Sequence, residues 1–438
     1  MAATINSRPN GSPQASTLGE NAKPNLLYKI DGHVARVNGI HLLSKEEAIW
    51  TISDDRSVSI YDVSPFMYIW LVLTFLNHCC NLIQVRLYMK RDNDQFWPSI
   101  HHFMQVPPTA VSFNEETDKL LVGLLNGTVV DFQVAEDCNS MEEKRKWQLH
   151  AGPVTSVFLS LAQELVFSCA KDKQVFWHCS ETAVKMGSFV VEHSCTCMVV
   201  DLPFVFIGDQ GGNVSVLRLT GSAPQLISKL SAHTGSITSL AWDAAKQQLF
   251  SGSADNLVIM WDIGGKRGQA YELNSHKVRV NGVAVASAAR RLFSVDDSGR
   301  LVCWDMDAPR METPAWQTSD TCQECNAPFF WNVSAMWQMK VVGLRQHHCR
   351  TCGHAVCNSC CSHRTTFPPM GFELPVRICK SCQAKMADDP SKFDLTPLAV
   401  SHEVRTGVTS LHLQQMLGRL ATAGQNRIVY IWDIKNLF

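Results

Sequence analysis

The chain has 438 residues, 45% of them hydrophobic and 18% charged, which supplies a sizeable core and excludes disorder over most of its length. With 39 Lys+Arg against 40 Asp+Glu the net charge is −1, which excludes a general nucleic-acid-coating protein but leaves room for a local basic site. The 17 cysteines are too few for a disulfide-dense secreted scaffold, so what matters is their spacing.

Residues 1–24 are dominated by Ser, Asn, Pro and Gly and are expected to form a disordered tail. The first residues contain no apolar stretch of the kind a signal peptide needs, so the expected compartment is the cytosol. Thiols stay reduced there, and cysteine clusters then point to metal before disulfide. The glycosylation sequons at Asn126, Asn213 and Asn332 are accordingly expected to be chance matches.

From Leu26 onward the sequence is built of short apolar runs that end in an aromatic residue, often followed by Asp. Phe132 ends one run and Trp177 the next. Leu217 closes a weaker copy. Trp261-Asp262, Trp304-Asp305 and Trp432-Asp433 end the clearest three. Trp261 and Trp304 lie 43 residues apart, and so do His233 and His276, each of which precedes a strand-like run. Within the runs apolar residues alternate with a period of two, and Asp/Asn-Gly pairs between them suit tight turns. A period of 40–45 with His early and Trp-Asp late resembles the WD-repeat family.

That resemblance implies an all-β fold, a seven-bladed WD40 β-propeller. Its blades end near Tyr61 or Tyr88, then at Phe132, Trp177, Leu217, Trp261, Trp304 and Trp432. Residues 25–307 would form blades 1–6 and residues 396–438 blade 7. Leu26–Ile30 would supply the outermost strand of the last blade and close the ring. The resemblance also implies a hydrogen-bonded His–Ser/Thr–Asp–Trp chain in each blade, here His233, Ser251, Asp255 and Trp261 in the fifth repeat. Because the set recurs with the period, it is expected to be structural and not catalytic.

One segment breaks the pattern. Val63 to Val85 contains no charge, and Phe66–Leu76 is nearly all apolar, long enough to be weighed as a transmembrane candidate. Yet Tyr61 and Tyr88 each complete the same blade strand, so Val58–Gln84, 27 residues, are surplus. A helix leaving the sheet of a closed propeller and returning within a few residues is sterically implausible. Val58-Ser59 and Gln84 can be encoded by splice-donor and splice-acceptor sequences, so the segment is expected to be translated intron. In the protein it would be an apolar aggregation liability.

A second surplus lies between Asp307 and about Leu395. Eight cysteines there form four pairs: Cys322-x-x-Cys325, Cys349-x-x-Cys352, Cys357-x-x-Cys360 and Cys379-x-x-Cys382. Each pair can take one side of a tetrahedral zinc, and four ordered pairs make two closed four-cysteine sites. Thioredoxin-like redox chemistry needs one such pair on a helix, not four. Trp316 precedes the first pair with Asp320 nearby. The second pair sits in Leu344-Arg345-Gln346-His347-His348-Cys349-Arg350-Thr351-Cys352-Gly353, and Arg377-Ile378-Cys379 opens the last. These three strings closely resemble those of the FYVE zinc finger, placed between blades six and seven and spanning residues 312–390.

The FYVE resemblance implies two Zn2+ in a cross-brace, one held by Cys322, Cys325, Cys357 and Cys360, the other by Cys349, Cys352, Cys379 and Cys382. Cys361 is left over and is expected to pack. It also implies a ligand, phosphatidylinositol 3-phosphate, with Arg345, His347, His348, Arg350, Arg377 and Asp320 at the head group. Val341, Val342 and Leu344 would enter the bilayer; Met336 and Trp337 are ambiguous. The local charge agrees: Asn326 to Phe372 holds no Asp or Glu, but Lys340, Arg345, Arg350, Arg364 and four His. Protonation of His347 and His348 is expected to tighten lipid binding near pH 6 relative to pH 8. Two departures bear on the head group. Gln346 stands where the family has a second basic residue, and Asp320 lies one place later than the family's Trp-x-x-Asp.

The combination resembles the small WD-repeat and FYVE-domain proteins. It implies a non-enzymatic adaptor, peripheral on early endosomal membranes, whose propeller binds protein partners that the sequence does not name, and which does not bind nucleic acid. The rival reading is a RING-like zinc-finger ubiquitin ligase with the propeller recognising substrate. RING fingers share the cross-brace but usually include a His ligand, and the Arg-x-His-His-Cys-Arg string has no purpose there.

Overall fold

A computed structural model describes residues 23–438 apart from 34, 45–47, 55–82, 91–95, 221–222, 266–268, 390–394 and 405. Seven four-stranded antiparallel sheets are present among the described residues. The first blade is Val37–Leu42, Ala48–Ser53, Ile83–Lys90 and Phe96–Met104, and the pattern repeats to the seventh, Val408–Gln414, Arg419–Gly424 and Ile428–Asp433. The fourth strand of that last sheet is Asn25–Asp31, paired antiparallel to Ile428–Asp433, so the two ends of the propeller sequence lie in one blade. Ring closure removes the free sheet edges that would otherwise template aggregation.

Burial explains the strand sequences. Second strands such as Ala48–Ser53 and Arg291–Asp296 are buried at every residue, because both faces meet a neighbouring blade, and the polar residues they carry, Thr51, Ser53, Arg291, Ser294 and Asp296, are buried with the apolar ones. An outermost strand such as Met141–Gln148 is mostly exposed and carries charge. Adjacent blades are also joined by threonine. Thr109, Thr238 and Thr409 each donate to a carbonyl of the next blade's first strand, those of Val154, Val280 and Val37, at 2.6, 2.6 and 2.7 Å. The Thr409 bond spans the closure of the ring. Tight turns require glycine. Gly127 (φ 88°) and Gly212 (φ 85°) pass beneath the carbonyls of His150 and His233, where a Cβ would lie 2.0 and 2.7 Å from the oxygen.

The recurring polar chain is observed. Trp261 Nε1 donates to Ser251 Oγ at 2.8 Å, the hydroxyl meets His233 Nε2 at 2.8 Å, and His233 Nδ1 meets Asp255 at 2.9 Å. His150–Ser168–Asp172 and His276–Ser294–Asp296 repeat it. Burial works against the charge on Asp255, but the His233 ring and the Thr234 and Leu257 amides hold its carboxyl below the usual range. Ser251 is fully buried and its hydroxyl is taken by two partners, which leaves no room for a nucleophile.

In the first blade the third strand is Ile83–Lys90. Tyr88 faces Ile49 there as Trp261 faces Leu249 in the fifth blade, so Tyr88 occupies the aromatic position. Residues 58–82 of the surplus segment and residues 1–22 of the expected tail lie outside the described residues, whereas Ile83 and Gln84 belong to the strand.

The sixth sheet runs Val280–Ala286, Arg291–Asp296, Arg300–Asp305 and then Ala399–Glu403. A sequence repeat ends at its Trp-Asp, but a blade needs one more strand. The zinc finger, which lies between two sequence repeats, therefore interrupts the sixth sheet between its third and fourth strands. Two compact units result: Lys23–Cys303 with Ser401–Phe438, and a second that contains Trp304–Val400.

Within the second unit lie two short helices, α1 (Val333–Met339) and α2 (Lys380–Asp388), and two hairpins, His347–His348 with Ala355–Val356 and Arg364–Phe367 with Phe372–Arg377. Its core is a cluster of cysteines around Phe329 and Ile378, flanked by Phe367, Met370, Phe372 and Val376. The segment after the third strand is tied down locally. Arg310 donates to the Asp305 carbonyl at 2.7 Å, Met311 N to Pro369 O at 2.7 Å, and Leu398 N to the Glu373 carboxylate at 2.9 Å.

Candidate zinc centres and basic face

Two cysteine quartets are assembled. The sulfurs of Cys322, Cys325, Cys357 and Cys360 all lie within 4.8 Å of one another, and so do those of Cys349, Cys352, Cys379 and Cys382. Pairs one and three meet in one quartet, pairs two and four in the other, which is a cross-brace. Zinc–sulfur bonds of about 2.3 Å in a tetrahedron put the sulfurs about 3.8 Å apart. The Cys325–Cys357 and Cys352–Cys379 separations are 3.8 Å, so the cradles fit the ion.

The local chain explains the spacing. Cys379 is the N-cap of α2, and its sulfur accepts from the Cys382 amide at 3.4 Å, so x-x brings the next ligand back one helical turn later. Amides also point at sulfur from Cys357 to Cys322 (3.3 Å) and from Cys379 to Cys349 (3.2 Å). Gly353, which follows the second pair, has φ 75°, and a Cβ there would lie 2.3 Å from the Ala315 carbonyl.

Electrostatics make the same demand. A hydrogen bond from Cys382 pulls the Cys349 thiol down to about 3, while burial pushes Cys379 up to about 12. Four thiolates in so small a volume repel one another, and only a bound cation lets all four ionise. Cys361 is buried beside the quartets but belongs to neither; Arg377 Nη1 approaches its sulfur at 3.8 Å.

His347 and His348 are successive residues of one strand, so their rings leave it on opposite faces. Burial, followed by the positive charges of Arg377, Arg345, His348 and Arg364, holds the His347 ring below its ordinary pKa. Arg364 and Arg377 are cross-strand partners, and Arg377 is oriented by Asn358 Oδ1 at 2.7 Å. On the other side the His348 ring stacks on Trp316, with centroids 4.8 Å apart and planes 11° apart. The Arg350 guanidinium lies 4.7 Å from the centre of the same indole. Trp316 is thus the platform that orients one His and one Arg of the motif.

The structure gives Asp320 a partner outside the basic strand. Its carboxylate accepts from the indole nitrogen of Trp331 at 2.8 Å. Ser319, which stands where the family has Asp, donates to the Thr321 carbonyl. Val341, Val342 and Leu344 are exposed, in a loop that follows α1. Sequence spacing counts Arg364 in the local charge without giving it a role. Its cross-strand pairing with Arg377 is what brings it to the cluster, and nothing in linear spacing signals that. No helix among the described residues is long and apolar enough to cross a membrane.

Known proteins carry the same two modules. The family model described as "FYVE zinc finger" matches residues 315–388, and that described as "WD domain, G-beta repeat" matches residues 224–262. The chain is 58% identical over 437 residues to the WD repeat and FYVE domain-containing protein 2 of Caenorhabditis briggsae, covering 100% of this chain and 98% of that protein. It is 42% identical over 414 residues to the human protein of the same name, covering 94% and 96%. A further likeness is confined to 70 residues, 37% identical to the vacuolar protein sorting-associated protein 27 of Yarrowia lipolytica, 16% of this chain and 10% of that one.

Proposed function

The chain belongs to the WD repeat and FYVE domain-containing protein family, and on that premise we propose that it is a peripheral adaptor of early endosomal membranes. The finger takes phosphatidylinositol 3-phosphate, and the propeller holds protein partners without catalysing a reaction. The observation that carries this reading is the gathering of Arg345, Arg364 and Arg377 around His347 and of Arg350 with His348 on Trp316, all but Arg377 within the carboxylate-free stretch from Asn326 to Phe372. Guanidinium forks match phosphate oxygens bidentately, and a phosphomonoester carries the charge that such a cluster lacks. Arg345, His347, Arg364 and Arg377 are assigned to the phosphate. Arg350 and His348, held by Trp316, are assigned to the remaining head-group oxygens. The eight cysteines hold two Zn2+ that maintain this geometry. The propeller, stapled blade to blade, offers a rigid rim for partners.

A fluorescent fusion of the full chain tests the reading in cells. It should mark early endosomes, disperse within minutes of inhibiting phosphatidylinositol 3-kinase, and fail to localise as Arg350→Ala. Puncta that survive both treatments would contradict it.

A further inference from the structure

Helix α1 is out of place in a small zinc finger. It has seven residues, is capped by Asn332 at one end and by Lys340 in the left-handed conformation at the other, and buries no side chain. A helix that short is not stable in water on propensity alone, and normally persists because an apolar face is covered. Here that face is bare. Trp337 is 86% exposed, Val342 81% and Val333 65%, with Met339 and Val341 about half exposed. Val333 and Trp337 are four residues apart and so share one side of the helix, and the exposed Val341 and Val342 follow directly after its cap. Met336 turns inward instead, its sulfur accepting from the Gly343 amide at 2.8 Å, which docks the helix onto the loop behind it. Between helix and loop opens a cavity of about 460 Å3 lined by Met336, Trp337, Lys340, Val341 and Val342.

We propose that α1 is a second membrane-inserting element: Val333 and Trp337 enter the bilayer beside Val341 and Val342, and Lys340 pairs with the phosphate of a neighbouring anionic phospholipid. The inference rests on the lipid reading above and extends its footprint from the loop to the helix. A bilayer is favoured over a protein partner by the charge around the patch. Every charged residue from Asn326 to Phe372 is basic, which complements an anionic lipid surface. The patch also runs directly into the basic strand, with only Gly343 to Gln346 separating Val342 from His347, so one approach engages both. Tryptophan suits the position, since its amphipathic ring settles at the membrane–water interface. The loop's Val341 and Val342 set the insertion point, and α1 widens it so that the finger is held at two points and its tilt is restricted.

The zinc-loaded full chain tests this with Trp337→Ser and Lys340→Ala. Neither change should impair folding, because α1 buries nothing and both side chains are exposed; zinc content checks this. Titration with soluble dibutanoyl phosphatidylinositol 3-phosphate should give the wild-type affinity for both variants. On phosphatidylcholine vesicles carrying phosphatidylinositol 3-phosphate, Trp337→Ser should bind roughly tenfold more weakly, with or without phosphatidylserine. Lys340→Ala should weaken binding only when phosphatidylserine is present. Lipids brominated in the acyl chain should quench a component of wild-type fluorescence that Trp337→Ser lacks. Vesicle binding and quenching unchanged in Trp337→Ser would overturn the inference while leaving the head-group site standing. So would a change of oligomeric state in that variant with vesicle binding intact, which would make the patch an interface between copies. Wild-type protein that binds neither the soluble lipid nor the vesicles would overturn the head-group reading and this extension together.

Discussion

Asp320 accepts a 2.8 Å hydrogen bond from the indole nitrogen of Trp331, and Asn332, the N-cap of α1, donates to the Asp320 backbone carbonyl. Asp320 is thus bonded at the root of the apolar helix, through its carboxylate and its carbonyl. Its side chain is exposed, and the bond contributes about 1 kcal/mol. Asp320→Ala should loosen the loop that carries α1 and weaken vesicle binding several-fold, yet leave the affinity for soluble head group within about twofold. Loss of soluble head-group binding in a calorimetric titration would return Asp320 to the inositol ring.

The zinc sites and the free thiol separate cleanly. Cys361→Ser should retain two zinc ions per chain by elemental analysis, because its sulfur is in neither quartet. Cys349→Ser should lose one and unfold the finger, since structural zinc supplies much of the folding free energy of so small a core. Chelation should abolish the finger's cooperative transition and preserve the propeller's, whose core clusters contain none of the eight cysteines. A single transition lost as a whole on chelation would refute that independence.

Much of this was legible in the sequence for a physical reason. His233, Ser251, Asp255 and Trp261 recur because each blade must satisfy the same buried donors and acceptors, so the repeat spells out its own hydrogen bonds. The cysteine pairs were legible because a knuckle needs two ligands one turn apart. The first blade was ambiguous because Tyr61 and Tyr88 both end an apolar run, and only the facing of Tyr88 with Ile49 shows which residue the sheet uses. The finger's position inside the sixth sheet was hidden as well. The completing strand Ala399–Glu403 is a half-exposed outer strand with no aromatic terminus, and pattern alone does not assign it to a blade. Helix α1 left no periodic trace, because seven residues with no buried stripe look like loop.

Glu373 brings a pH dependence to the finger's stability. Burial pushes its carboxyl up to about 7, against the attraction of Arg310, and the Leu398 amide is its hydrogen-bond donor. A carboxyl whose folded pKa exceeds its unfolded value near 4.5 keeps its proton in the folded state while the unfolded chain loses it. Folding is therefore unaffected below about pH 4.5, loses stability as pH rises toward 7, and is level above that. Glu373→Gln should raise the finger's melting temperature by a few degrees at pH 8 and change nothing near pH 4.5. Equal shifts at both pH values would place the effect in packing instead.

The proposed function rests on the basic face, and its most direct measurement is calorimetric titration of the zinc-loaded chain with soluble dibutanoyl phosphatidylinositol 3-phosphate and its 4-phosphate isomer. One site should bind the 3-phosphate in preference. Arg350→Ala should weaken that binding by about tenfold to a hundredfold, as loss of a charge-assisted contact requires, and Arg350→Lys should recover only part, since a lysine lacks both the fork and the stacking on Trp316. Equal affinity in wild type and Arg350→Ala, or indifference to the position of the phosphate, would contradict the assignment.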